Sequence, residues 1–256
     1  MSATRLATMS AGEGSSGRVT TDARARIAIW LAVAASLLIV VEAASDGSLL
    51  PWARAPLLMP FLVVATLLAR PAPARPVLAW LVAAQVLSWF GDIALALPVD
   101  ALFLVGVGFF LLAQVSYIVT FSRIHGDGLI RQRPWLLVFY AAYFVAMMAV
   151  VLPGADELAP ALVIYGGVLL SMAAMAMNTW GKVDRRSGVL LLCGSILFVI
   201  SDSLIAVTNF GPVPDNPAVA TVLIGTYCVA QIMLAIGVLD GARWAASKSA
   251  GLPAGP

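Results

Sequence analysis

Hydrophobic residues gather along this chain in eight blocks, at about 27–45, 56–69, 77–97, 101–121, 135–152, 158–179, 188–209 and 217–240. Most approach the roughly 20 apolar residues that a helix needs to cross the hydrocarbon core of a bilayer, and they lack the spacing of a surface helix. The second block is shorter, with Pro56 and Pro60 near its start. Between the blocks stand "RPAPARP", "PVD", "RIHGDGLIRQRP", "PGADELAP", "GKVDRRSG" and "FGPVPDNP", where Pro, Gly and charge interrupt helices. A backbone in lipid must satisfy its own hydrogen bonds, so such blocks read as helices. The pattern predicts an all-α polytopic membrane bundle of eight transmembrane helices over residues 27–240. Disordered tails are expected at 1–26, rich in Ser, Gly, Thr, Ala and Arg, and at 241–256.

The positive charges test that division. The N-terminal tail holds Arg5, Arg18, Arg24 and Arg26, the second loop Arg70 and Arg75, and the fourth Arg123, Arg131 and Arg133. The sixth loop holds Lys182, Arg185 and Arg186, and the C-terminal tail Arg243 and Lys248. On the alternate side only Arg54 stands, so 14 of the 15 Lys and Arg residues share one face. Positive charge marks the cytoplasmic side of a span. The expected arrangement is therefore a multi-pass protein of the cytoplasmic membrane with both termini inside.

Composition agrees and narrows the function. With 61% hydrophobic and 11% charged residues, the chain falls far from the roughly 25% charge of soluble domains. Cys193 and Cys228 both lie in apolar blocks and read as small buried hydrophobes. The single histidine, His125, lies in a polar loop, so neither a zinc nor a haem site has a ligand set. The dispersed arginines form no nucleic-acid face. Lys182 and Lys248 lie outside the blocks, which excludes a retinal Schiff base.

Within the blocks stand Glu42, Asp92 and Asp202. A charge at mid-bilayer costs at least about 2.5–3.5 kcal/mol, so such groups face the interior and mark function. Glu42 lies near the end of the first block, where it can reach the interface. Asp92 in "SWFGDIA" and Asp202 in "VISDSLI" belong to helices running in the same direction. At about 1.5 Å per residue they fall at similar depth in the outer half, and Tyr165 and Tyr227 fall near that level too. Each aspartate-bearing block is followed by one with Ala-Gln, at Gln114 in "LLAQVSY" and Gln231 in "CVAQIML". Two four-helix halves around an axis along the membrane normal would carry the aspartates to facing positions across a shared cavity. Facing carboxyls in a low dielectric do not ionise equally, which leaves one acid beside one carboxylate, as in glycoside hydrolysis.

The segments "SWFGDIALAL", "YIVTF", "YGGVLLSMAAMA", "GSILFVISDSLIAV" and "TYCVAQIMLAIG", in this order over residues 27–240, resemble the YhhN-like lysoplasmalogenase family. The resemblance implies an integral membrane ether hydrolase. It would cleave the vinyl ether of a lysoplasmalogen to a fatty aldehyde and glycerophosphoethanolamine or glycerophosphocholine. By position, Asp92 and Asp202 would be the catalytic pair, with Tyr227 and Gln231 lining the site. Two positions depart from the family pattern. Ala55 precedes Pro56 where a lysine is usual, with Arg54 one residue earlier, and Gln114 stands where a histidine is usual.

The chemistry also fits the residues. A vinyl ether hydrolyses by protonation of its β-carbon, which needs a neutral carboxyl as donor and an anion to stabilise the oxocarbenium ion. The residues do not divide these roles; if one must be chosen, Asp202 is the donor. Arg54 would meet the lipid phosphate from the outer interface. No metal or organic cofactor is required, and the partners are the lysophospholipid substrate and membrane lipids. Head group, chain length and oligomeric state stay open. The rival readings are a proton-coupled carrier using the two aspartates and a lipid-binding protein in which they only join helices.

Overall fold

A computed structural model describes residues 23–45, 57–70, 72–97 and 100–250. The helices are α1 (Ala23–Ala44), α2 (Leu58–Leu68), α3 (Arg75–Ala96), α4 (Asp100–Ser122), α5 (Leu137–Val151), α6 (Ala159–Met177), α7 (Arg185–Phe210) and α8 (Pro217–Ser249). A one-turn helix, Leu129–Gln132, lies in the loop before α5. No strand occurs among the described residues. The expected all-α membrane bundle is thus observed.

The expected count of eight full spans is not confirmed: among the described residues seven helices are long and apolar enough to cross a membrane, and α2, described over 11 residues, is shorter. At about 1.5 Å per residue it covers roughly half of a ~30 Å hydrocarbon core. The helix at the first block already starts at Ala23, and α8 continues through Ser249. Residues 23–26 and 241–249 are therefore helical where tails were expected. Gly241, Ala242 and Arg243 are buried in α8, because Gly241 packs onto Val183 and Ser187.

Local chemistry sets the ends that hydropathy alone misplaces. Asp184 caps α7 by accepting from the Ser187 N–H at 3.2 Å, which starts that helix ahead of its apolar run. Asn216 caps α8 through the N–H groups of Ala218 and Val219, with Pro217 opening the first turn. Pro also opens the first turns of α3 and α6.

The most extensive helix contacts lie within two hairpins, α3–α4 and α7–α8. Small residues make the approach possible. A Cβ at Gly91 would stand 2.7 Å from the Phe110 ring, and one at Gly237 would stand 2.9 Å from Leu191. Lipid gives helices no hydrophobic reason to associate, so close van der Waals packing has to hold them. By contrast, Val151 is the one fully buried residue of α5.

The loops group as the charges predicted. The Ile130 N–H donates to Asn178 Oδ1 at 2.9 Å, and Gly126 lies against Lys182. The loops bearing Arg123, Arg131 and Arg133 and Lys182, Arg185 and Arg186 therefore share one end. Gly154 backs onto the Phe210 carbonyl at the opposite end, beside the Phe103–Phe210 ring contact. Of the cysteines, Cys228 is buried, whereas Cys193 is exposed on the bundle's flank.

Candidate active site

Polar side chains inside the bundle fall at helical spacing. On α3, Gln85, Ser88 and Asp92 follow one face; on α4, Gln114 and Tyr117; on α8, Tyr227 and Gln231. Gln85, Ser88, Gln114, Tyr117 and Gln231 are fully buried, and Asp202 on α7 is 6% exposed. Burial without water requires that these groups bond one another.

Asp202 takes two donors on one oxygen. Tyr165 donates to its Oδ2 at 2.6 Å and the Gln114 amide at 2.9 Å. The same amide lies 3.0 Å from the Tyr165 hydroxyl, so α4, α6 and α7 meet at one carboxyl. Among the described residues Asp92, half-buried, accepts one donor, the Tyr227 hydroxyl at 3.0 Å. Each aspartate is thus bonded by the second helix of the other hairpin. Asp92 of α3 is bonded from α8, and Asp202 of α7 from α4.

The two carboxyls exchange no hydrogen bond. Aromatic rings fill the space between their helices. Tyr227 lies edge-on to Phe110 at 5.9 Å and to Phe198 at 6.0 Å, and Phe198 stands one turn before Asp202. Tyr117 meets Phe198 at 6.5 Å and donates to Gln231 Oε1 at 2.6 Å. The Gln231 amide reaches Ser88 Oγ at 3.2 Å, one turn below Asp92. Gln231 therefore supports the α3 wall and does not touch either carboxyl.

An open cleft reaches Asp202 and Tyr165 from the side of the bundle, between α5, α6 and α7. Apart from Tyr143 and Ser203, its other walls are apolar, including Phe144, Met148, Leu162 and Leu169. Asp92 is not among the residues that line this cleft. The Gln114 Oε1 atom, buried beside this end, has no hydrogen-bond partner.

Six of the expected residues fall into three hydrogen-bonded groups, Asp202 with Tyr165 and Gln114, Asp92 with Tyr227, and Gln231 with Tyr117 and Ser88; the ring contacts of Phe198 with Tyr117 and Tyr227 join the last two. Arg54, with Ala55 and Pro56, lies outside the described residues. Glu42 is buried at 2% exposure. Tyr117, Ser88, Phe110 and Phe198 were not anticipated. The spacing of polar residues three, four and seven apart on α3, α4 and α8 was the signal for the first two. Among the described residues no cluster of His, Cys, Asp and Glu could hold a metal.

A helical membrane bundle with two aspartates held by unequal sets of donors defines an intramembrane site suited to proton transfer. The chain belongs to the YhhN family, whose model matches residues 50–238. That family is lysoplasmalogenase-like and associated with hydrolase activity. None of the curated proteins compared with the chain matches it. No solved structure matches it either.

Proposed function

We propose that this protein hydrolyses the vinyl ether bond of lysoplasmalogens, with Asp92 as the proton donor and Asp202 as the carboxylate. The observation behind the reading is the uneven donor set around the two carboxyls. Two donors on Asp202 Oδ2, one of them at 2.6 Å, suit an anion, because hydrogen bonds to a charged acceptor are the strong ones. Asp92, with a single donor at 3.0 Å, is left to hold the proton. This reverses the choice of Asp202 as donor made from sequence, which had no hydrogen bonds to count.

In the proposed reaction the neutral Asp92 carboxyl gives its proton to the β-carbon of the alkenyl chain. The π electrons form the new C–H bond, and positive charge develops on the carbon bonded to oxygen. Asp202 stabilises that oxocarbenium ion and accepts a proton from the water that adds to it. The resulting hemiacetal gives up its hydroxyl proton and the glycerol oxygen takes one as the carbon–oxygen bond between them breaks. A fatty aldehyde and the glycerophospho head group leave, one water has been consumed, and the proton returns to Asp92. The binding side chains of Tyr165, Tyr227 and Gln114 fix the carboxyls, and no step needs a metal.

The carrier reading has less support. Intramembrane carriers commonly break helices at their binding sites, whereas α3 and α7 continue unbroken through Asp92 and Asp202.

The test uses purified protein in detergent, offered a lysoplasmalogen and its saturated-ether counterpart. Aldehyde should form only from the vinyl ether and should vanish in Asp92→Asn and Asp202→Asn. Folded wild-type protein that releases none would overturn the reading.

A further inference from the structure

The cleft at Asp202 continues beyond the site. A second hollow lies between α5 and α6, lined by Leu137, Tyr140, Ala141, Gly167, Ser171 and Ala174 among others. The two hollows share Phe144 and Leu170 as walls, so they join into one groove. On α5 its residues recur at three- and four-residue spacing from Leu137 to Val151, which covers roughly 20 Å of helix. One end holds Asp202, Tyr165 and the Tyr143–Ser203 hydroxyl pair at 2.7 Å. The far end approaches the arginine-bearing loops and is mostly apolar, with the Tyr140 and Ser171 side chains among its walls.

We propose that this groove holds one hydrocarbon chain of a lysophospholipid, admitted sideways from the bilayer between α5 and α6. The head of the lipid rests on the proposed reaction at Asp202; the chain site itself does not depend on it. Three observations favour this occupant. The groove is mostly apolar along its length and carries a carboxyl at one end, matching a molecule with one apolar tail and one reactive polar end. The wall from α5 is the least buried of the candidate spans, with one fully buried residue, so the groove is open to the bilayer along that side. Met147 and Met148 give the wall side chains that adapt to different chain shapes. At Gly167 an added Cβ would meet nothing within 4 Å, whereas at neighbouring Gly166 it would press on Met148 and Phe144. The space beside Gly167 is thus open groove, not helix packing.

Gly167→Leu fills that space without a clash at its Cβ, and Ser171→Leu fills the same wall one turn along. A saturated-ether lysophosphocholine with a diazirine at its chain end, which the enzyme cannot cleave, is photolysed with protein in nanodiscs, and the labelled peptides are mapped. Labelling should concentrate on Tyr140, Phe144, Gly167, Ser171 and Ala174. It should be lost in both leucine variants while their melting temperatures stay near wild type. Labelling spread evenly over the outward faces of α1 and α4, and unchanged in folded Gly167→Leu or Ser171→Leu, overturns the proposal. Aldehyde release from lysoplasmalogen is measured on the same samples. Groove labelling without aldehyde sinks the reaction and keeps the chain site; aldehyde with labelling elsewhere does the reverse.

Discussion

Tyr165→Phe removes the hydroxyl that donates to Asp202 at 2.6 Å and leaves the ring in place. If Asp202 is the anion, the lost bond is one to a charged acceptor, worth about 1.5–3 kcal/mol, whereas Tyr227 bonded to a neutral Asp92 contributes only about 0.5–1.5 kcal/mol. At 1.36 kcal/mol per tenfold in rate, Tyr165→Phe should lower kcat by about 10- to 100-fold and Tyr227→Phe by about 2- to 10-fold. The physical reason is a shift of the shared proton. With fewer donors Asp202 competes for it, and molecules in which Asp202 holds the proton have the acid on the wrong side. Tyr165 also lines the cleft, so KM can change as well, and the comparison must rest on kcat from single-turnover aldehyde release. Gln114→Leu removes the other donor and should resemble Tyr165→Phe. The double variant should lose less than the product of the two, since both act through one carboxyl. A Tyr227→Phe defect equal to or larger than that of Tyr165→Phe would refute the division of roles and return the proton to Asp202.

Other expectations concern the frame and its orientation. Tyr117→Phe leaves the buried Gln231 Oε1 without its 2.6 Å donor; interhelical bonds in membranes are worth about 0.6–2 kcal/mol, so the melting temperature in detergent should fall modestly. Gly91→Ala drives a methyl to 2.7 Å from the Phe110 ring and should cost about 1–3 kcal/mol of stability. Because Phe110 buttresses Tyr227, the same variant should also slow aldehyde release. With Cys193 and Cys228 replaced by Ala, single cysteines at the exposed His125 and Asp215 report on orientation. On intact cells an impermeant maleimide should label Asp215→Cys and spare His125→Cys; the opposite pattern would invert the assigned topology.

The bundle was legible in the sequence because lipid imposes one rule on every residue: an apolar stretch of sufficient length must be a helix. The two aspartates were legible for the same reason, since a carboxyl in such a stretch needs a purpose. Loop grouping followed from Arg123, Arg131, Arg133, Lys182, Arg185 and Arg186, and the Ile130–Asn178 bond places those loops together. Hydropathy could not read ends fixed by polar contacts. Asp184 and Asn216 start helices through side-chain bonds, and Gly241 keeps α8 going because it packs closely on α7. Nor could it read partners. Depth alone suggested that Asp92 and Asp202 face each other, but depth says nothing of rotation about a helix axis. That rotation pairs Asp202 with Tyr165 and Gln114, and Asp92 with Tyr227. The repeated Ala-Gln was a real clue with an unexpected meaning. Gln114 binds the aspartate of the other hairpin, while Gln231 is taken by Tyr117 and Ser88 and supports the wall.

The bundle separates two demands that conflict in a single rigid site. Proton transfer needs carboxyls fixed to within a fraction of an ångström, and the hairpins α3–α4 and α7–α8 supply this by glycine-mediated contact and by the bonds each sends to the other's aspartate. The proposed admission of a lipid from the bilayer needs a wall that is accessible, and α5 has a single fully buried residue. The separation has a kinetic signature. Enlarging Phe144 to Trp, on the shared wall of the groove, should raise KM for long-chain substrates and leave kcat within about threefold, as expected when only uniform binding is lost. Tyr165→Phe should do the opposite. If Phe144→Trp lowered kcat as deeply as Tyr165→Phe, the open wall would belong to the reacting geometry, and the bundle would act as one unit instead of a rigid frame with an open side.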